Sequence, residues 1–229
     1  MNRRTNYRHK DLSNNEVDLP VGKVVCIGRN YMAHIHELNN EVPEQPLYFM
    51  KPSDSLVDLS QPVDFPRHLG SCHHELEIAV LINQRLTSAD AEQARQAIWG
   101  YGLALDLTLR DLQTKLKKKG QPWERAKAFD GSCPISSFVA VSDVQSQPMA
   151  FSLSVNGQVR QDGNTANMML KIDELIADIS HLFTLNPGDI VLTGTPEGVA
   201  ELKGGDGLLL TLDNYFSVET LVSKRDSDD

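Results

Sequence analysis

Two carboxylates stand two residues apart in His73-His74-Glu75-Leu76-Glu77, and the run behind them, Ile78-Ala79-Val80-Leu81-Ile82, is strongly β-prone. Strand side chains repeat their direction every second residue. A strand over 75–82 therefore sets Glu75 and Glu77 side by side. Neighbouring anions repel unless something positive lies between them. A hard divalent cation meets that need, and oxygen donors suit Mg²⁺, Mn²⁺ or Ca²⁺ better than Zn²⁺. A solvated strand edge with two acids is the alternative. Asp106 interrupts the run Leu103-Ala104-Leu105-Asp106-Leu107-Thr108, in which the leucines share one face and Ala104, Asp106 and Thr108 the other. A carboxylate in such apolar company needs a partner. The same cation, a salt bridge to Arg110 and a helix N-cap role all qualify. Three carboxylates from two strands would leave an octahedral ion with positions open to water and a chelating substrate.

Three further groups could take part. His34 and Glu37 are spaced i, i+3, which puts them on one face of a helix. A carboxylate beside an imidazole fixes its tautomer and raises its basicity, as a water-activating base requires; an ordinary surface pair has the same spacing. Lys127, between small apolar residues in Arg125-Ala126-Lys127-Ala128-Phe129, is either an exposed lysine or a desolvated cation aimed at an anion. The Gly/Thr-rich loop Leu192-Thr193-Gly194-Thr195-Pro196 follows a strand, and its amides could hold a carboxylate. Lys117-Lys118-Lys119 before Gly120 is expected to be a solvated helix end. His73 and His74 lack helical histidine partners, which leaves them a supporting role. GK[ST] and GxGxxG nucleotide loops, GxSxG and HExxH are all absent.

The elements that must position these groups are short. Strands are expected at 23–27, 47–50, 75–83, 103–108, 137–141, 151–155 and 190–193, with a final hairpin of 208–212 and 215–222 turned at Asp213-Asn214. Asn156-Gly157 predicts a second hairpin. Helices fit 32–38, about ten residues ending at Ile98 behind the Ser88-Ala89-Asp90 cap, 110–119 and 170–182. Gly100-Tyr101-Gly102 is expected as a break. With no regular βαβ alternation, the class is α+β, mainly β, with few short helices.

The 229 residues suffice for one large domain and a substantial core. The expected division is a short N-terminal segment over 1–22, one catalytic domain over 23–222, and a frayed charged tail over 223–229. A net charge of −9 argues against nucleic acid or an anionic membrane as the main partner. No apolar stretch approaches the roughly 20 residues that span a bilayer. Three widely spaced cysteines fit reduced thiols, so a soluble cytoplasmic protein is expected.

Several runs occur in a telling order: Gly28-Arg29-Asn30-Tyr31 with His34 and Glu37, Phe49-Met50-Lys51-Pro52, His74-Glu75-Leu76-Glu77, and Leu105-Asp106-Leu107-Thr108-Leu109-Arg110-Asp111. Gly120-Gln121-Pro122-Trp123, Ala126-Lys127-Ala128-Phe129, Val155-Asn156-Gly157 and Leu192-Thr193-Gly194-Thr195-Pro196 complete them. Over about 23–222 the chain resembles the fumarylacetoacetate hydrolase superfamily, in particular its short acylpyruvase and oxaloacetate decarboxylase members. The resemblance implies a mixed β-roll or β-sandwich, a homodimer, and Mg²⁺ or Mn²⁺ on Glu75, Glu77 and Asp106. It implies that His34 and Glu37 lie on a lid and supply the base. It gives Lys127 to catalysis, and Arg29, Lys51, Arg110, Gln113 and Thr195 to contacts with a small anionic 2-keto acid.

The expected function is metal-dependent hydrolysis or decarboxylation of 2-keto acids (acetylpyruvate, fumarylpyruvate, oxaloacetate) through a metal-chelated pyruvate enolate. A second reading is oxaloacetate keto–enol tautomerisation or hydroxymuconate-type isomerisation, with no bond cleaved. A third, a non-catalytic metal-stabilised binder, needs no base and so leaves His34 and Glu37 unexplained.

Overall fold

The computed structural model describes residues 7–38, 40–145 and 148–224. The expected tail, beyond Lys224, lies outside the described residues. In chain order, β1 (Val24–Gly28) leads to helix α1 (Met32–Glu37), β2 (Leu47–Lys51), β3 (Leu56–Asp58) and β4 (Cys72–His74). Next come β5 (Leu76–Ile82), α2 (Ala91–Gln96), β6 (Ile98–Leu105), β7 (Thr108–Leu109), α3 (Arg110–Lys118) and α4 (Glu124–Lys127). Strands β8 (Cys133–Ile135), β9 (Val139–Ala140), β10 (Ala150–Val155) and β11 (Gln158–Asn164) precede α5 (Ile172–Leu182). The chain then forms β12 (Ile190–Leu192), β13 (Ala200–Glu201), β14 (Gly207–Leu212) and β15 (Phe216–Leu221).

The largest sheet is mixed, in the order β2-β1-β12-β5-β6-β8-β3 with β9 added to β6. Its β1–β12 and β3–β8 pairs are parallel. Alternation along these strands separates two cores. Val25, Ile78, Val80, Leu103 and Leu105 enter one; Val24, Cys26, Ala79, Leu81 and Ala104 enter the other. A sheet covered on both faces needs apolar residues at consecutive positions, and β5 is buried along its whole length. The antiparallel sheet β11-β10-β14-β15 and the short sheet β13-β4-β7 complete the β structure. The α+β, mainly β class is as expected.

Four local expectations change. Glu75 is not a strand residue: it joins β4 in the short sheet to β5 in the large one. Helix α2, capped by Asp90 through a reciprocal capping box with Gln93, stops at Gln96. Gly100-Tyr101-Gly102 does not break the chain but runs inside β6. A Cβ on Gly100 would stand 2.2 Å from the Val139 carbonyl oxygen, so the close approach of β9 is what glycine serves there. The expected strand at 137–141 shrinks to β9. The Asn156-Gly157 turn is present with both φ positive, 51° and 78°, matching the right-handed twist of a tight hairpin.

Residues 7–22 of the N-terminal segment pack on the body. His9 is fully buried and its Nε2 bonds the Pro20 and Gly188 carbonyls, while Tyr7, Val17, Leu19 and Val21 cover the second core.

Candidate active site

Glu75, Glu77 and Asp106 come together at the end of the large sheet. Glu77 is the second residue of β5 and is paired with Ala104 on β6. Asp106 follows β6, and its amide donates to the Glu75 carbonyl at 2.8 Å. The three side chains are 6%, 1% and 1% exposed. Each offers an oxygen lying within 4.8 Å of the other two. Glu75 thus joins Glu77 through the sheet-to-sheet crossing rather than through strand alternation.

Two cations and an imidazole, each from a different helix, stand beside these anions. Lys127, on the last turn of α4, donates from Nζ to Glu75 Oε2 at 2.8 Å and to Asp106 Oδ2. Arg110, the first residue of α3, reaches Glu75 Oε1 through Nη2 and Gln113 Oε1 at 2.8 Å through Nη1. On α1, His34 Nδ1 lies 3.3 Å from Glu37 Oε2. The other Glu37 oxygen accepts from the Gly198 amide at 2.9 Å, fastening the helix to the loop after β12.

Burial would raise the Glu75 carboxyl, but Lys127 and Arg110 outweigh it and hold Glu75 well below the usual carboxylate range. Among the described residues, the Gly194 amide, at 2.6 Å, is the one hydrogen-bond donor to Glu77. Its burial, with Asp106 and Glu75 nearby, pushes it well above that range. Burial would lower Lys127, yet Asp106 and Glu75 raise it above an ordinary lysine, so it remains an ammonium.

These groups surround one cavity of about 40 Å³, room for about three water molecules by the usual volume of a single site. His34, Arg110, Gln113, Lys127 and Thr195 reach its wall together with the three carboxylates. Arg29 does so too, from a left-handed backbone position (φ 64°) at the end of β1. Glu37 and Lys51 do not. Lys51 is fully buried behind Asp106, 2.9 Å from its Oδ1. Its ammonium donates to the Lys127 carbonyl and to the carbonyl and hydroxyl of Ser132. Lys117, Lys118 and Lys119 are exposed, as expected of a solvated helix end, but Lys117 also reaches the cavity wall.

The profile described as fumarylacetoacetate (FAA) hydrolase C-terminal matches residues 23–223. The chain belongs to this hydrolase family. It is 53% identical over 211 residues to oxaloacetate tautomerase YcgM of Escherichia coli, across 91% of this chain and 96% of that protein. It is 38% identical over 202 residues to the mitochondrial oxaloacetate tautomerase of Homo sapiens, across 88% and 91%. Among solved structures it is similar to fumarylpyruvate hydrolase from Pseudomonas aeruginosa in complex with Mn²⁺ and pyruvate. That match has a TM-score of 0.90 and 33% identity over 96% of each chain.

In this family member the donor set fits a hard divalent ion. All three donors are buried carboxylates, and among the described residues Asp106 Oδ1 makes no hydrogen bond, although it is ion-paired with Lys51. Among the described residues no histidine or cysteine joins the cluster. His74 instead faces Gln161, with Nδ1 2.9 Å from Oε1.

Gln161 is the residue that sequence reasoning missed. It lies on β11, fully buried. Its Oε1 also accepts from the Leu76 amide at 2.9 Å, and its Nε2 donates to Thr195 Oγ1 at 2.8 Å and the Pro196 carbonyl at 3.0 Å. Thr195 in turn donates to the Leu76 carbonyl at 2.8 Å. One amide from the second sheet therefore pins both the start of β5, beside the glutamates, and the Thr195 loop. The signal for it was a polar residue opposite buried Leu153 in the Asn156-Gly157 hairpin.

Asn30 does the same for α1. It is buried, donates to the Leu170 and Thr193 carbonyls at 3.0 and 2.9 Å, and accepts from the Leu170 amide at 2.8 Å.

Proposed function

We propose that this protein is a Mg²⁺- or Mn²⁺-dependent enzyme of small 2-keto acids that works through the enolate, with oxaloacetate keto–enol conversion as the reaction the site supports best. The observation that carries the reading is the convergence of three buried carboxylates, the Lys127 ammonium and the His34 imidazole on one small cavity. The name of the 53% identical relative agrees with it.

Glu75, Glu77 and Asp106 would hold the ion. When bound, it supplies Lewis-acid polarisation of the keto acid. His34 is the base. With Glu37 accepting its Nδ1 proton, Nε2 is left to take the proton from the carbon beside the ketone and to return it. Lys127, kept charged by its neighbours, stabilises negative charge as it develops on oxygen. Arg110 and Gln113 form the side that receives a carboxylate. Lys51 and Thr195 are positioning residues: the first supports Asp106, and the second donates a hydrogen bond to the Leu76 carbonyl.

A second reading is favoured by the solved relative that holds pyruvate with Mn²⁺. If His34 Nε2 instead takes a proton from water, hydroxide adds to the distal carbonyl of an acylpyruvate, the C–C bond breaks, and pyruvate enolate leaves. If the bond to a β-carboxylate breaks, CO₂ leaves and the same enolate remains.

The test gives the Mg²⁺- or Mn²⁺-loaded protein oxaloacetate, acetylpyruvate and fumarylpyruvate, and follows enol absorbance and pyruvate together. Enol-oxaloacetate disappearing faster than pyruvate forms is the expected outcome. Pyruvate keeping pace with enol loss would favour the second reading, and no change in any substrate would sink both. His34→Ala should lower kcat by about 10²–10⁴-fold, the usual worth of a positioned base. Unchanged turnover would remove His34 from that role.

A further inference from the structure

Four cations reach the cavity, and three are already engaged. Lys127 bonds Glu75 and Asp106, and Arg110 bonds Glu75 and Gln113. Arg29 donates to Asn40 Oδ1 at 3.1 Å and to the Glu41 carbonyl at 3.0 Å. Lys117 differs. Among the described residues it has no carboxylate partner, and its ammonium stands 4.9 Å over the Trp123 ring. The residue is exposed overall, and together with Trp123 it forms part of the cavity wall. Desolvation, then the charges of Arg29, Arg110 and Lys127, push it down to about 8.

Its place on the helix is systematic. Arg110, Gln113 and Lys117 are spaced i, i+3, i+7 along α3, one face of an α-helix. The first two stand at the carboxylate cluster and the third a turn farther out. A substrate held at the cluster by one carboxylate and its ketone would extend its far end along this stripe.

Charge balance points the same way. Four cations face three carboxylates on the wall, and a divalent ion would raise the excess to three positive charges. A keto monoacid offsets one of them and a keto diacid two. Fixed charges left unpaired at low dielectric are costly, so the diacid suits the site better.

We propose that Lys117, seated over Trp123, is a specificity-determining residue that binds the distal carboxylate of a dicarboxylic 2-keto acid and so selects diacids over monoacids. The proposal rests on the keto-acid reading above and deepens it. Lys117 takes no part in bond making, so its removal should appear in KM rather than kcat.

The test pairs two unreactive chelating 2-hydroxy acids that differ in the far carboxylate, L-malate and L-lactate, titrated calorimetrically into the Mg²⁺-loaded full-length protein. The wild type should bind malate about tenfold more tightly than lactate, the worth of one charge-assisted contact. Lys117→Gln should lose that preference and keep lactate binding within about twofold, which also shows that the variant is folded; Lys117→Arg should restore malate. In turnover, Lys117→Gln should raise KM for oxaloacetate about tenfold and change kcat less than about threefold. Equal binding of the two acids by the wild type, no binding of either, or a parallel loss of both in Lys117→Gln would overturn the proposal. A malate preference without turnover of any keto acid would leave Lys117 in place and remove the reaction instead.

Discussion

At the scale of single residues, the site is a contest between burial and neighbouring charge, and Lys117 shows where the contest is close to balance. Desolvation lowers it first, then the cations Arg29, Arg110 and Lys127, with Glu75 opposing them. A lysine depressed to about 8 is charged below that pH and neutral above it. Binding of a diacid that depends on the ammonium should therefore weaken as pH rises through 8. In wild type, KM for oxaloacetate should climb between about pH 7 and pH 9 toward the Lys117→Gln value, while Lys117→Arg stays flat because a guanidinium does not titrate there. A KM that is flat across this range would show that Lys117 carries no substrate charge. Much of this layer was legible in the sequence. Glu75, Glu77 and Asp106 stood out as acids in apolar company, and burial of all three explains why the company mattered. Lys117 was not legible, because a run of three lysines at a helix end says nothing about which one borders a cavity. The i, i+3, i+7 relation to Arg110 and Gln113 was available, but it gains meaning only once that face of α3 is known to line a cavity.

At the scale of elements, short pieces hold each other in place through a few buried polar side chains. Helix α1 has six residues and no side-chain cap, too short to be stable alone; Asn30 and Glu37 moor it at its two ends. The start of β5 depends on Gln161 in the same manner. Replacing Gln161 with leucine leaves the Leu76 amide and the His74 Nδ1 proton without acceptors, and Thr195 Oγ1 without its donor. Each orphaned buried group costs about 1–3 kcal/mol, so Gln161→Leu should destabilise the fold by at least about 3 kcal/mol. Urea unfolding would measure it, and a loss below about 0.5 kcal/mol would mean that water or a relaxed loop replaces the amide. The hairpins, α3 and α5 were readable from local signals: Asn156-Gly157, Asp213-Asn214 and Gly120 are turn or stop chemistry carried by the residues themselves. Helix α4 and the continuation of β6 through Gly100-Tyr101-Gly102 were not. Glycines mark a break and a close backbone approach equally well, and only the partner, Val139, decides between them.

At the scale of the whole molecule, the candidate metal site stands where the chain passes between sheets. Glu75 joins β4 to β5, and Asp106 separates β6 from β7, so both crossings run from the short sheet to the large one or back. Such a seam is non-local: 72–74 pair with 108–109 and 200–201, whereas 76–82 pair with 98–105 and 190–192. No local pattern encodes that change of partner, which is why a single strand over 75–82 was the natural reading. The seam also makes the site a fastener. A ligand that binds only the folded chain stabilises it by mass action, about 2.7 kcal/mol at a hundredfold excess over Kd, and each kcal/mol moves the midpoint of a chain this size by about 2–4 °C. Mn²⁺ at that excess should therefore raise Tm by about 5–10 °C, and a chelator should reverse the gain. In Glu77→Gln the gain should fall to near zero, while metal-free Tm should hold or rise, since the substitution removes a buried carboxyl that Asp106 and Glu75 already oppose. An undiminished Mn²⁺ shift in Glu77→Gln would exclude this glutamate from the ion. An absent shift in the wild type would mean that Lys127, and not a cation from solution, is the lasting answer to the three carboxylates.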